Sequence, residues 1–166
     1  MDYSPINSLI QSPANIIPDI NNTLQFLSGK ALYTSLDLKQ AYLSLKVDEQ
    51  SRVLSTFLTP TGSYQWTSVP TGMANSPAYW ADASEKMIHS EPVLDKEGKP
   101  IYECKGVVKL KKSPLPFVKR YFDDILTTSL LRETFHETLI LHFQILEQLI
   151  KRLAFHGSKI SIQKSD

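Results

Sequence analysis

Cysteine is nearly missing from this chain. Cys104 is the only one in 166 residues, which excludes an internal disulfide and a zinc site built from several thiolates. The four histidines, His89, His136, His142 and His156, show no metal-ligand spacing, so solvated or capping roles are expected of them. No run of 18 apolar residues occurs, and no membrane span is expected. The N-terminus shows neither the basic nor the apolar region of a signal peptide. Excess charge of one sign is absent too. Eighteen basic residues face 17 acidic ones, a net of +1, so any site for a polyanion has to come from local clustering. No internal repeat or low-complexity tract is evident. What remains is 42% apolar and 21% charged residues, the profile of one ordinary globular domain with a real core.

Proline and turn residues divide the chain. Pro5, Pro13 and Pro18 among Ser and Asn predict an extended lead-in over residues 1–23. A short helix is expected over Ile20–Leu27, with Leu24, Phe26 and Leu27 as its apolar contacts and Gly29 stopping it. Ala31–Leu36 reads as a buried strand ending at Asp37, and Leu38–Leu45 as a helical turn. Strands over Leu54–Thr59 and Ser63–Val69 flank the Pro60-Thr61-Gly62 turn and form a hairpin. After Pro70-Thr71-Gly72, Asn75 or Ser76 is placed to cap a helix that carries Pro77 in its first turn and runs to about Ile88. Residues 89–118 read as an inserted hairpin or loop. It has a turn at Asp95–Lys99, strands at Pro92–Leu94 and Ile101–Cys104, and a basic run of Lys105, Lys109, Lys111 and Lys112. A solvated basic loop is favoured there over a specific phosphate contact. Thr134-x-x-Glu137 is a capping box. Phe135, Leu139, Phe143, Leu146, Leu149, Ile150 and Leu153 then recur at helical spacing as a core stripe, with the end near Gly157. Lys159–Gln163 alternates as a last strand. The order predicts an α+β domain: one antiparallel sheet with helices packed on one face, close to a split βαβ plan.

Two adjacent carboxylates, Asp123 and Asp124, sit between apolar pairs in Tyr121-Phe-Asp-Asp-Ile-Leu126. This is two short strands meeting at a tight turn, which can aim neighbouring side chains at one spot. Taken alone, an Asp-Asp turn is most often just a polar turn. A partner changes that. Asp37 ends an apolar strand 86 positions earlier, and two strand ends can meet. Three carboxylates there suit hard divalent cations. Two such ions about 3.5–4 Å apart are the arrangement for in-line phosphoryl displacement.

The motifs around these acids resemble a known family. Ser35-Leu-Asp-Leu-Lys-Gln-Ala-Tyr42 is similar to motif A of reverse transcriptases. Tyr64-Gln-Trp-Thr-Ser-Val-Pro-Thr-Gly-Met-Ala-Asn-Ser-Pro-Ala78 is similar to motif B. Tyr121-Phe-Asp-Asp124 resembles the Tyr-x-Asp-Asp box of motif C, and Gly157-Ser-Lys-Ile-Ser-Ile-Gln-Lys164 resembles motif D. Asp2-Tyr3 and Asn7 resemble the end of the fingers segment that precedes motif A. Each motif alone is weak; four in order are specific. Order and spacing are most similar to gypsy-like LTR retrotransposons and retroviruses.

The resemblance implies a reverse transcriptase palm with a ferredoxin-like core. It implies a fingers hairpin over 52–71, palm over 24–51 and 72–166, and the 89–118 insertion. It makes Asp37, Asp123 and Asp124 the catalytic acids and metal ligands for two magnesium ions, with manganese able to substitute. Lys164 becomes a candidate acid for the leaving pyrophosphate. Leu38, Tyr42, Thr71, Gly72, Pro77 and Tyr121 become substrate contacts, Tyr42 as a ring under the nucleotide sugar. The implied partners are an RNA or DNA template-primer, dNTP, and further polyprotein segments: thumb, RNase H and integrase. No membrane partner is implied. The implied setting is a cytoplasmic virus-like particle with a nuclear step. Two departures stand out: Thr71 is where the family usually has Gln or Phe, and Ser4 replaces the usual Arg. The triphosphate-gripping fingers strands and the thumb are expected outside the 166 residues, so the chain alone is expected to be inactive. Beside an RNA-directed DNA polymerase stand a catalytically silent, nucleic-acid-binding remnant and another metal-dependent nucleotidyl transferase or cyclase. The Pro-x-Gly…Ser-Pro-Ala segment speaks against the last.

Overall fold

The computed structural model describes residues 2–11, 18–103 and 107–165. Pro13 of the lead-in, Cys104 at the expected strand end and Lys105 of the basic run lie outside them. In chain order the elements are α1 (Ser4–Asn7), α2 (Ile20–Leu27), β1 (Leu32–Asp37), β2 (Phe57–Thr59), β3 (Gly62–Tyr64), α3 (Ser76–His89), β4 (Ser90–Pro92), β5 (Leu110–Lys112), β6 (Val118–Tyr121), β7 (Asp124–Ser129) and α4 (Phe135–Phe155).

The central sheet is antiparallel, in the order β1-β7-β6. Strand period two divides its side chains. Leu36, Ile125, Thr127, Ser129 and Val118 point to a covered face and are buried. Tyr33, Asp37, Asp124 and Tyr121 alternate with them on the other face. The covered face carries α3 and α4. Their Trp80, Met87, Ile88, Ile145, Leu149 and Leu153 join Leu36, Val118 and Ile125 in one core. Each such side chain removed from water contributes roughly 1.5–3 kcal/mol before entropy is charged. Chain order β1, α3, β6, β7, α4 is the split βαβ plan. Its fourth strand shrinks to a single bridge, Leu38 to Ile160. The expected strand over Lys159–Gln163 is therefore mostly absent. The chain turns away into a 3₁₀ turn at Ile162–Lys164, and its pairing is limited to Lys39 N–H on the Lys159 carbonyl and Ser161 N–H on the Asp37 carbonyl.

Other expectations shift in instructive ways. β1 is half-buried rather than buried: Tyr33 is 54% exposed because its hydroxyl reaches back to the Leu27 and Lys30 carbonyls. The hairpin β2–β3 is shorter than expected. Residues Ser51–Ser55 form a 3₁₀ turn instead of strand, held by Ser55 and Thr56 hydroxyls donating to the Arg52 and Val53 carbonyls. Such local side-chain bonds compete with a ladder. The returning chain pairs with residues 45–47 instead, through Val47 N–H to Thr67 and Val69 N–H to Leu45. Asn75 stands at the N-cap of α3 as expected, but its side chain makes no capping bond there. The Ser76 hydroxyl donates to the Pro70 carbonyl at 3.0 Å and fastens the preceding turn. In α2, Leu24 is exposed and Thr23 is the buried residue.

In the insertion, β4 pairs with β5 at the base, and the described residues between them add two further bridges, Leu94 to Pro100 across the Asp95–Lys99 turn and Tyr102 to Val108. Asp95 Oδ1 accepts from the Glu97 and Lys99 N–H groups at its turn.

α4 has the expected capping box between Thr134 and Glu137, but its buried face is rotated from the expected stripe. Phe135 is 66% and Phe143 60% exposed, and Ile150 is exposed as well. The packed side is Thr138, His142, Ile145, Leu149, Arg152 and Leu153. His142 is not solvated. Its ring lies between Thr34 Oγ1 at 2.8 Å and Ser129 Oγ at 3.2 Å.

Candidate active site

The acids meet where the sheet ends. β6 and β7 are joined by two residues, Phe122 and Asp123, with Tyr121 paired to Asp124. Phe122 sits at φ +52°, a left-handed conformation that costs a bulky residue on the order of 1 kcal/mol. Two donors hold its carbonyl: Trp80 Nε1 at 3.1 Å and Arg120 Nη1 at 3.3 Å. The turn leaves Asp123 exposed at the tip. Asp37, the last residue of β1, is paired directly with Asp124, the first of β7. Asp124 is half-buried. Burial pushes its carboxyl above the ordinary range, and the negative charges of Asp37 and Asp123 push it further, with Lys164 pulling the other way. The three acids and Lys164 thus share one electrostatic neighbourhood.

Tyr42 stands on the 3₁₀ turn after β1, its ring 6.2 Å from that of Trp80. Burial raises its phenol's pKa, and the Asp123 carboxylate raises it further by charge and hydrogen bonding. Tyr121 is half-exposed on the open face of the sheet, edge-on to Phe122 at 5.0 Å. Thr71 and Gly72 are exposed on the turn before α3, and Pro77 is exposed in the first turn of that helix. Leu38 is different: its side chain is buried in the core, so only its backbone is available to a substrate.

The backbone of Asp37 is fixed by the end of the chain. Its N–H donates to Ser165 Oγ at 3.2 Å, that hydroxyl donates to the Ser161 carbonyl, and Ser161 N–H donates to the Asp37 carbonyl. Sequence reasoning missed Ser165, Arg120 and Trp80. Trp80 was within reach of it, since Trp80, Ser84, Met87 and Ile88 follow helical spacing; nothing in sequence marks Ser165.

The donor chemistry suits a hard divalent cation: carboxylate oxygens on adjoining strand ends, with mutual repulsion for a cation to relieve. Among the described residues, however, no group of three or more His, Cys, Asp or Glu side chains is gathered closely enough to hold a metal ion. The donors fit by type and by strand, and their side chains would have to turn toward a shared ion.

Comparisons with known proteins bear on this arrangement. A protein-family model described as reverse transcriptase (RNA-dependent DNA polymerase) matches residues 1–166. The enzymatic polyprotein of Carnation etched ring virus is 31% identical over 78 residues, 47% of this chain and 12% of the polyprotein. The genome polyprotein of Petunia vein clearing virus is 26% identical over 164 residues, 99% of this chain and 6% of that one. The matched segments therefore cover about an eighth or less of these relatives' length. Among solved structures, foamy viral protease-reverse transcriptase in complex with RNA/DNA hybrid superposes with a TM-score of 0.64 at 22% identity. The match covers 99% of this chain and 18% of that one. A mutant of the prototype foamy virus protease-reverse transcriptase gives 0.67 at 24%, with the same coverage. At such identity these structures show the fold. With a family match over its whole length, the chain belongs to the reverse transcriptases.

Proposed function

We propose that this chain is the palm, with part of the fingers, of an RNA-directed DNA polymerase carried in a retroelement polyprotein. The observation that carries the reading is the pairing of Asp37 with Asp124 beside a two-residue turn that presents Asp123. Two strands that are distant in sequence put three carboxylates at one sheet end. In this reading the primer 3′-hydroxyl gives up its proton to water, its oxygen bonds to the α-phosphorus of a dNTP, and the bond to pyrophosphate breaks. Asp37, Asp123 and Asp124 would hold two magnesium ions, which when bound supply positive charge against the charge developing on the phosphates. Lys164 would give a proton to the leaving pyrophosphate. The Tyr42 ring, braced on Trp80, would exclude a sugar 2′-hydroxyl by contact and so favour deoxynucleotides. Template and primer would be held through their backbones rather than their base sequence. Motif order supports a gypsy-like or retrovirus-like source, and a virus-like particle as the setting. Residues 52–71, which hold the β2–β3 hairpin, are assigned to the fingers, and 24–51 and 72–166 to the palm.

The absence of a gathered ligand group among the described residues favours a second reading, a catalytically silent remnant that binds nucleic acid. One substitution separates the two. In a polypeptide that carries this chain with fingers and thumb attached, Asp123→Asn should lower nucleotide addition by roughly 100-fold or more, because it removes transition-state charge stabilisation. Primer-template affinity should stay largely intact, since it rests on phosphate contacts. Incorporation retained by Asp123→Asn with Mg²⁺ or Mn²⁺ would defeat the assignment, and an inert wild type would favour the remnant.

A further inference from the structure

The turn Pro70–Ala74 is held from outside its own segment. Asn7 Nδ2 donates to the Gly72 carbonyl at 2.9 Å, and the Ala74 N–H donates to Asn7 Oδ1 at 2.8 Å. One planar amide thus occupies an acceptor and a donor two residues apart, as a neighbouring strand would. The backbone partners dictate the amide's orientation, because a carbonyl only accepts and an N–H only donates. Next to it, the Tyr3 ring is buried and lies 3.4 Å from where a Cβ on Gly72 would stand. Gly72 itself is at φ +100°, where any other residue is strained. α1 buries none of its four residues, so apolar burial by the helix does not hold it there. Asn7 and Tyr3 do.

The turn has consequences downstream. Its Pro70 carbonyl receives the Ser76 hydroxyl at the start of α3. That helix carries Trp80, which holds the Phe122 carbonyl beside Asp123. We propose that Asn7 is a positioning residue for nucleotide binding. Its amide sets where the Gly72 backbone stands against the incoming dNTP, and loss of either bond weakens dNTP capture more than the chemical step. The inference rests on the polymerase reading above. In that reading the Gly72 backbone is a nucleotide contact, so a displaced turn misplaces it directly, while the Phe122 carbonyl beside Asp123 keeps a second donor in Arg120.

The test is steady-state single-nucleotide incorporation by the polypeptide carrying this chain with fingers and thumb. Wild type, Asn7→Asp, Asn7→Ala and Asp123→Asn are compared, with the thermal midpoint of each. Asn7→Asp is nearly isosteric. It keeps the acceptor for Ala74 and turns the Gly72 donor into a second acceptor facing a carbonyl oxygen. The expected result is a KM for dNTP about tenfold higher in Asn7→Asp, with kcat within about twofold of wild type. Asn7→Ala should move KM in the same direction, and the midpoint of Asn7→Asp should stay near wild type. An unchanged KM, a loss carried by kcat alone, or a loss that merely follows the thermal midpoint would overturn the positioning role. An active wild type with an inactive Asp123→Asn leaves the polymerase reading standing in that case. Incorporation surviving in Asp123→Asn overturns that reading's site instead, and an inert wild type overturns both.

Discussion

Arg152 offers the sharpest test of how the insertion is tied to the palm. It lies on the packed side of α4 and is 9% exposed. Its Nη1 donates to the carbonyls of Ile88, at 2.6 Å, and Ser113, and its Nη2 to Ser113 Oγ at 2.8 Å. Glu91 stands 3.5 Å away and is the only acid paired with it among the described residues. One guanidinium thus joins α4, the end of α3, and the return of the inserted hairpin. Burial pulls its pKa down and Glu91 opposes that. Arg152→Ala would leave two carbonyls without their donor, at about 1–3 kcal/mol each, and would forfeit the packing of the alkyl stem. The expected loss is about 3–5 kcal/mol, a fall of roughly 10 °C in thermal midpoint for a domain of this size. Arg152→Lys keeps the charge but offers one ammonium where a fork is needed, and should cost about 1–2 kcal/mol. Glu91→Gln should cost less than about 1 kcal/mol, because the pair is long and Glu91 is partly exposed. Urea unfolding of the three variants decides it. A cost for Glu91→Gln equal to that of Arg152→Ala would show that charge pairing, not donation to carbonyls, holds the junction. Arg152→Ala within about 1 kcal/mol of wild type would refute the bond account altogether.

Acid should destabilise the chain. Burial lowers the pKa of His142, and also those of His89, where Glu85 partly opposes it, and His156. The unfolded chain then takes up protons near pH 6.5 that the folded chain refuses, so stability is full above that pH and is lost as pH falls toward the folded values. Asp124, raised, works in the opposite sense. A urea midpoint lower at pH 5 than at pH 7.5 is expected, and an equal or higher one would contradict the histidine account. Trp80→Phe keeps most of the ring but deletes the donor to Phe122; because Arg120 still serves that carbonyl, the expected loss is about 1–2 kcal/mol in urea unfolding. No measurable loss would show that the Trp80 bond does not hold the tip.

Local rules identified the elements whose cause is local. The capping box at Thr134, the Ile20–Leu27 helix and the Tyr121–Leu126 hairpin are each determined within a few residues, and each forms where expected. The Ser51–Ser55 turn fails for a local reason, its own hydroxyl bonds, but the failure in α4 comes from contacts made at a distance. The helical stripe through Phe135 and Phe143 is real as a pattern, yet α4 turns Thr138, His142 and Arg152 inward. The sheet offers Thr34 and Ser129 hydroxyls to His142, and the insertion offers the Ser113 carbonyl to Arg152, while Thr138 bonds to the Thr134 carbonyl and the Arg132 N–H at the helix start. A polar side chain with a waiting partner competes with an aromatic ring for the packed face. Periodicity cannot register this, since it scores residue type without knowing what the other surface presents.

The same division runs through the candidate site. Adjacent carboxylates in a turn are visible within Tyr121–Leu126, and Asp37 at the end of an apolar strand is visible within Ala31–Asp37. That they belong together is a matter of strand register, Asp37 opposite Asp124, which sequence alone leaves open. What supports the site was harder to read. Asn7, Trp80 and Ser165 act through one or two bonds to backbone atoms far along the chain, and no spacing rule links a side chain to a distant backbone atom; Arg120 reaches a carbonyl two residues on. Phe122 shows why those bonds matter. A phenylalanine in a left-handed turn is locally unfavourable, and the turn persists because Trp80 and Arg120 both hold its carbonyl. The acids can be found by their chemistry, whereas the strained turn that aims Asp123 is explained only by residues on α3 and β6.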